Sequence, residues 1–277
     1  RSRGGAGVPV WRPVVGSLGA TMRHGALELR ASASDGGGVC WVAAKPLTVR
    51  EVIEEGEPPI LAWRPLTGTS GGHLIASAAG AAGAFLGASE RCKRAILRLT
   101  SSPSGEEAGA LREAARQGAL LAIQARHAGE VGTGQLELAA QAAAALYLNS
   151  FHGLDGSLLV FERCSRFNHA CVPNAEYGLS AGGLMKVRAL RPIDVGEEVC
   201  ISYLGEAGLM STPLRRNVLK ERYLFDCGCA LCIAQPDALC GPCGVEGATE
   251  AGDKAGAEVS HSLERRVALL GLRWKAE

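Results

Sequence analysis

The sequence predicts an α+β fold made mainly of short strands, with a helical insertion in the middle of the chain and a metal site near its C-terminal end. Short apolar runs bounded by turn residues occur in both halves, which is typical of a β-rich fold rather than of βαβ units. The segment between them has the 3.6-residue periodicity of helices. Three cysteines within 227–232 indicate a metal site.

Strands are expected at six apolar runs, which lie at 39–42, 52–53, 60–63, 158–161, 185–190 and 199–203. One internal similarity links the two halves of the chain. The run KPLTVREV at 45–52 resembles RPIDVGEE at 191–198, and each would be a turn that feeds a strand. Such units are common, so the similarity alone is a weak indication of a repeat.

Helices are expected between these strands. Apolar residues recur at helical spacing over 106–127, after a serine and two glutamates suited to a helix start. An Ala- and Leu-rich run at 135–149 predicts a second helix. A short amphipathic helix is expected at 262–275, whereas 1–35, rich in Gly, Ala, Ser and Arg, is expected to be poorly ordered.

Composition argues against two classes of partner. The 277 residues carry 29 basic and 28 acidic side chains, a net charge of +1, without the clustered basic excess of a nucleic-acid surface. The long uncharged stretch around 74–89 is mostly Ala and Gly and falls short of the roughly 20 strongly apolar residues of a membrane span. We therefore expect neither direct nucleic-acid binding nor a membrane partner.

Cysteine usage indicates an intracellular protein of the nucleus, the cytoplasm or both. Closely spaced cysteines without a visible secretory signal favour metal binding over disulfides. Because the chain begins at Arg1 rather than Met, an organellar targeting peptide stays open.

The metal prediction rests on Cys227, Cys229 and Cys232, three thiolates in six residues. A structural zinc ion takes four Cys or His ligands, so one ligand must come from elsewhere in the chain. The candidates are Cys171, Cys240, Cys243 and His169. Three unrelated cysteines are the less expected alternative, and the pair Cys240 and Cys243 is either half of a second metal site or two free thiols.

Four motifs resemble those of SET-domain protein lysine methyltransferases of the SET-and-MYND type. The run NHACVPNA at 168–175 is similar to the family's Asn-His-Ser-Cys-x-Pro-Asn motif, with Ala170 in place of serine. The run GEEVCISY at 196–203 resembles the second motif, which ends in the catalytic tyrosine. The segment 215–232 resembles the entry to the post-SET zinc site, and NSF at 149–151 matches a cofactor-contacting element.

Two features depart from that family. In the opening strands, Cys40 stands where a second glycine is usual and Arg50 replaces a turn glycine. No MYND finger is recognisable, because Cys92 is the only cysteine between Cys40 and Cys164, and histidines such as His73 and His127 cannot by themselves complete a two-zinc finger.

The resemblance implies a mainly β SET fold of the β-clip type, with pseudoknotted short strands, a helical insertion and a post-SET zinc site. The implied division is a low-complexity segment at 1–35, a first SET half at 36–66, a helical insertion at 67–148, a SET core at 149–210, a post-SET zinc region at 211–243 and a C-terminal tail with a short helix at 244–277.

The resemblance also implies the site residues. S-adenosylmethionine would be held by cofactor-binding residues that comprise Asn149, Ser165, Asn168, His169, Tyr203 and Phe225. Tyr203 and Tyr223 would be the catalytic residues and would line the lysine channel. Cys171 would complete a structural zinc site with Cys227, Cys229 and Cys232.

The implied reaction is methyl transfer to the ε-amine of a lysine in a protein substrate, either a histone tail or another protein. The main alternative is a catalytically weak or inactive zinc-binding interaction protein with a SET fold, as the departures at Cys40, Arg50 and Ala170 would allow. A methyltransferase of the plastid Rubisco type is less expected, since that group lacks the cysteine-rich tail seen here at 227–232.

Overall fold

The computed structural model describes residues 23–32, 38–64, 73–99, 107–126, 131–205 and 210–236. Eleven short strands lie in these ranges: β1 Arg23–His24, β2 Leu27–Ala31, β3 Val39–Ala43, β4 Val52–Glu57, β5 Leu61–Trp63, β6 Phe151–His152, β7 Leu158–Val160, β8 Asn168–His169, β9 Ala175–Leu179, β10 Met185–Ala189 and β11 Cys200–Ile201. The helices are α1 His73–Gly87, α2 Glu90–Ile96, α3 Glu107–Gln124, α4 Thr133–Asn149, α5 Thr212–Tyr223 and α6 Ala230–Ala234.

The strands form four small sheets, ordered β1-β2-β3, β4-β10-β9, β5-β7-β6 and β11-β8. Two of them join strands from opposite ends of the chain, since β4 pairs with β10 and β5 with β7. The β11–β8 pair is parallel, with Cys200 opposite Asn168 and Ile201 opposite His169. This pairing places the end of the second motif beside the Asn-His run of the first.

The similarity between 45–52 and 191–198 proves to be a structural repeat. The two turns pair antiparallel, with Leu47 and Ile193 exchanging backbone hydrogen bonds of 2.9 and 3.0 Å. In each turn a glutamate, Glu51 or Glu197, accepts the backbone N–H three residues before it. The sixth residue of each run, Arg50 or Gly196, has a positive φ, 65° and 84° respectively.

The helical insertion packs through small residues. Seven side chains of α4, six alanines and Leu146, are fully buried. A Cβ at Gly118 of α3 would lie 2.6 Å from the backbone nitrogen of Ala79 in α1, so glycine allows these helices to touch backbone to backbone. Trp63 of β5 and Val160 of β7 belong to the same apolar cluster. The helices therefore cover the β5-β7-β6 sheet, and α4 leads directly into β6.

Residues 23–31 correct one expectation from the sequence. They form β1 and β2, so the prediction of a poorly ordered start is wrong for this part of 1–35. Leu27 and Leu29 are buried, and β2 pairs with β3 along its whole length. Pairing with β3 therefore stabilises this segment, although its local composition does not predict a strand.

The expected helix at 262–275 lies outside the described residues. Within the described ranges, we find no helix that combines the length and apolar character needed to span a bilayer.

Candidate active site and thiolate centre

Tyr203 follows β11 and is fixed at both its backbone and its hydroxyl. The hydroxyl donates a 2.6 Å hydrogen bond to the carbonyl oxygen of Phe167, and its backbone N–H donates to Nδ1 of His169 at 3.0 Å. Burial raises the pKa of the Tyr203 phenol far above its ordinary value. The hydroxyl therefore stays protonated and suits orientation of a bound group better than proton abstraction.

An aromatic wall stands next to Tyr203. The ring of Tyr223 lies 4.9 Å from that of Tyr203, and its hydroxyl donates to the Tyr203 carbonyl oxygen at 3.3 Å. Phe225 lies 6.4 Å from Tyr203 and 6.2 Å from His169 between ring centroids. Leu224 ends α5 in the left-handed conformation, at φ 60°, and so turns Phe225 away from the helix axis.

Two further aromatic residues extend this wall and were not assigned roles from the sequence. Phe151 of β6 and Tyr177 of β9 pack edge to face, with ring centroids 5.1 Å apart. Burial, followed by the nearby charge of Tyr223, raises the pKa of Tyr177 to about 12. Phe151 stood within the NSF motif, but no local pattern marks Tyr177, because only the folded sheet brings it to Tyr223.

The residues expected to hold the cofactor fall into two connected groups. Ser165 donates from its hydroxyl to the carbonyl oxygen of Asn149 at 2.9 Å, which joins the end of α4 to the first motif. Asn168 donates from Nδ2 to Glu198 at 2.7 Å. The thiol of Cys40 also hydrogen-bonds Glu198, and burial raises its pKa to about 11.

A buried carboxylate fixes the turn that carries Ser165. Glu57 accepts the backbone N–H groups of Arg163 and Cys164 at 2.7 and 2.9 Å. The neighbouring Glu54 binds the Arg163 guanidinium through both carboxylate oxygens, at 2.9 and 3.0 Å. Glu57 was not predicted from the sequence, because one glutamate in a strand does not indicate hydrogen-bond partners more than 100 residues away.

Asn174 ties the two motifs to each other. Its Nδ2 donates to the Glu198 carbonyl oxygen at 2.8 Å, and its Oδ1 accepts the Cys200 N–H at 2.8 Å. This buried amide therefore spans the junction between the first motif and β11.

The two departures near β3 differ in their effect on the backbone. Cys40 lies within β3, paired with Arg30, and its φ is not positive, so this position does not require glycine. Arg50 does hold a conformation that favours glycine. Gly38 has a φ of +153°, and among the described residues a Cβ there would meet nothing within 4 Å.

Four cysteines meet beside this site. The sulfurs of Cys171, Cys227, Cys229 and Cys232 all lie within 4.8 Å of one another. Cys171 Sγ is 3.5 Å from Cys232 Sγ and 3.9 Å from Cys227 Sγ. Tetrahedral zinc with bonds of about 2.3 Å separates its sulfurs by about 3.8 Å, so the donor set fits a structural zinc ion.

The structure also bears on the other candidates for the fourth ligand. His169 Nε2 lies 3.4 Å from Cys171 Sγ, while its Nδ1 accepts the Tyr203 N–H. The ring proton of neutral His169 is therefore on Nε2, which donates to the sulfur. His169 thus joins the cysteine cluster to Tyr203 rather than adding a ligand. Cys240 and Cys243 lie outside the described residues.

Hydrogen bonding within the cluster favours negative charge on Cys229. Bonds from Cys171 and Cys227 lower the pKa of Cys229, and the backbone N–H groups of Cys232 and Cys171 add to the effect. Hydrogen bonding with Cys171 and Cys229 raises the pKa of Cys227. The thiols therefore interact closely with one another, and a bound cation would stabilise all four as thiolates.

Comparison with known protein families identifies a SET domain at residues 71–204. Similar proteins include "Protein-lysine N-trimethyltransferase SMYD5" of Mus musculus, 42% identical over 90 residues, which are 31% of this chain and 21% of the relative. "Histone-lysine N-methyltransferase SMYD3" of Homo sapiens is 33% identical over 121 residues, 43% of this chain and 25% of the relative. The chain thus spans about a fifth to a quarter of the length of these relatives.

Among solved structures, "Crystal structure of the SET domain of LSMT bound to Lysine and AdoHcy" is 19% identical, with a TM-score of 0.45. That similarity covers 72% of this chain and 52% of the other. Residues 71–204 match the SET domain, and the SET fold predicted from the motifs is confirmed.

Proposed function

We propose that this chain, which carries a SET domain, transfers a methyl group from S-adenosylmethionine to the ε-amine of a lysine in a protein substrate. One observation carries the proposal. The Tyr203 hydroxyl is held by the Phe167 carbonyl oxygen at the edge of a wall formed by Tyr223 and Phe225. A fixed, neutral hydroxyl among aromatic rings is the arrangement that a lysine side chain and a methyl donor need where they meet.

The chain's own residues would act by orientation and desolvation. S-adenosylmethionine supplies an electrophilic methyl group on a sulfonium sulfur. The lysine amine must be neutral to attack this methyl group, although the side chain of free lysine has a pKa of about 10.4. A lysine channel beside Tyr223, Tyr177 and Phe151 would disfavour the ammonium form, because aromatic walls would replace its water. Restricting both partners to in-line geometry can supply on the order of 7–11 kcal/mol of the barrier reduction.

In this proposal, cofactor contacts come from the two hydrogen-bonded groups beside Tyr203. Asn149 and Ser165 form one, and Asn168 and His169 form the other. Phe225 would pack against the adenine end. Support comes from their common position around β8 and β11.

Zinc would have a structural role. Four thiolates fill a tetrahedral ion and leave no position open for substrate. Phe225 lies two residues before Cys227 and Tyr223 lies four residues before it. A metal bound at the cluster would therefore hold the rings of Tyr223 and Phe225 against Tyr203.

The proposed partner is a histone tail or another protein that presents a lysine, and the proposed location is the nucleus, the cytoplasm or both. Relatives named as histone-lysine and protein-lysine methyltransferases support this class of substrate. The near-zero net charge supports a protein partner rather than direct contact with nucleic acid.

A second candidate is a zinc-bearing interaction protein that has kept the fold and lost turnover. The observation that favours it is Cys40, which is buried at a position expected to be glycine and interacts with Glu198, the carboxylate that also accepts from Asn168. Binding of S-adenosylmethionine separates the two, since the interaction protein does not require it.

The decisive test is the Tyr203→Phe variant, assayed with radiolabelled S-adenosylmethionine and lysine-containing proteins. Loss of the hydroxyl should abolish methyl transfer, while calorimetry finds cofactor affinity within a few-fold of wild type. Tyr147→Phe is the control for loss of a tyrosine hydroxyl near Tyr223, because Tyr147 lies on α4 and packs against the helical cluster. Turnover retained by Tyr203→Phe would remove Tyr203 from the catalytic role.

A further inference from the structure

Arg215 of α5 is a charged side chain with no exposed surface. Its guanidinium donates to the Met210 carbonyl oxygen and, at 2.8 Å, to the Thr212 hydroxyl. Its Nε is buried and has no hydrogen-bond partner. Burying a cation is costly unless an anion lies close by, so the two neutral oxygens leave this charge unexplained.

Carboxylates do not supply the missing anion. Across the described residues, no ion pair with Asp or Glu forms at Arg215. The groups that interact electrostatically with its guanidinium are instead the sulfurs of Cys171 and Cys232. Burial lowers the pKa of Arg215, but hydrogen bonding and charge from these two sulfurs outweigh that effect and raise it overall.

A second arginine approaches the same cluster. Arg216 donates from Nη2 to the Cys232 carbonyl oxygen at 3.1 Å. Its Nε is also buried without a partner. Two adjacent cations on one helix therefore approach the cysteines. If the thiols were neutral, no negative charge there would compensate the two guanidinium groups.

We propose that Arg215 is the counter-cation of a tetrathiolate metal centre at Cys171, Cys227, Cys229 and Cys232, and that it controls how firmly the centre holds its metal. Four thiolates around one divalent ion carry two net negative charges. Arg215 neutralises one of them from inside the protein, and Arg216 offsets part of the other. The inference rests on the zinc site within the proposed function, but not on methyl transfer.

The same contacts give Arg215 a positioning role. Through Met210 and Thr212 it fixes the start of α5, and through the sulfurs it joins that start to the segment that follows the helix. Groups that hydrogen-bond to metal ligands commonly change metal affinity by about 10- to 100-fold when they are removed.

The test compares zinc release from Arg215→Met and Arg215→Lys with wild type, using a chromophoric chelator. Methionine keeps much of the volume without the charge, so zinc should leave at least tenfold faster. Lysine keeps the charge but loses the planar fork, so its rate should be intermediate. Arg116→Met, on the exposed face of α3, is the control and should match wild type.

A second measurement separates this role from general damage to the fold. Denaturant unfolding of the zinc-loaded protein should show Arg215→Met less stable than wild type. In metal-free protein this difference in stability between wild type and Arg215→Met should vanish or reverse. The reason is that wild type then buries a cation beside neutral thiols. Equal release rates, equal destabilisation with and without zinc, or a wild-type chain that binds no zinc would overturn the proposal. A methyl-transfer assay of the same samples reports separately on the proposed function.

Discussion

Arg50 holds a backbone conformation that costs an L-residue energy. Its φ of 65° lies in the left-handed region, and Gly196 occupies the equivalent place in the paired turn with a φ of 84°. The backbone N–H of Arg50 nevertheless donates to the Ala189 carbonyl oxygen at 2.8 Å, so the neighbouring sheet enforces the turn. The departure noticed in the sequence is therefore a cost in stability.

Replacing Arg50 by glycine should raise the free energy of unfolding by about 1 kcal/mol. Relief of left-handed strain contributes roughly 1–2 kcal/mol, and the greater freedom of glycine in the unfolded chain takes back part of it. Chemical denaturation measures the change. Arg50→Ala is the control, since it removes the charge but keeps the strain, and an equal gain in both variants would contradict this explanation.

At the level of elements, periodicity located the long helices and missed others. The prediction at 106–127 corresponds to α3, and that at 135–149 to α4. The helix α1 was missed because its Ala- and Gly-rich run is apolar on every side and shows no stripe. Strand pairing could not be predicted either, since β4 meets β10 only after more than a hundred residues.

The site residues also fall into predicted and unpredicted ones. Sequence motifs predicted Tyr203, His169 and the cysteines, because their chemistry is evident from local spacing. Tyr177 and Arg215 went unnoticed, since their meaning depends on contacts that only the folded chain makes.

The paired turns predict a specific acid sensitivity. Hydrogen bonds from Lys45 and then Thr48 lower the pKa of Glu51 from 4.5 to about 2. Between these values the unfolded chain takes up a proton that folded Glu51 does not, so stabilisation present above 4.5 is lost as the pH falls towards 2. Glu197 in the other turn has a lowered pKa too, chiefly from Arg191.

Glu51→Gln should therefore show a shallower loss of unfolding free energy than wild type as the pH falls below about 4.5. Lys45→Met, which removes the largest contribution, should fall between the two. Denaturant titrations at several pH values supply the curves. Parallel curves for wild type and Glu51→Gln would show that this turn does not contribute to acid sensitivity.

Three apolar clusters of unequal size lie in the described part of the chain. Helices α1–α4 with β5 and β7 form one, and residues of the other sheets form another. The third, around the cysteines, has five buried members: Cys171, Leu204, Leu219, Cys227 and Cys232. Three of these five are cysteines, so little apolar surface holds the end of the described chain in place, and a structural metal would have to supply most of its stability.

Removing zinc should therefore release this cluster while the rest stays folded. Chelation should expose the amides of 212–234 to hydrogen exchange, while those of α4 at 133–149 stay protected by the helical core. Tyr223 and Phe225 would lose their fixed place beside Tyr203, so cofactor affinity should fall. Added zinc should restore both the exchange protection and the cofactor affinity.

Cys229→Ser should reproduce the change without chelator, whereas Cys92→Ser, in the helical region, should not. If chelation exposed α4 and 212–234 together, the cluster and the core would be one cooperative unit. If chelation exposed neither, the aromatic wall would be held by packing alone.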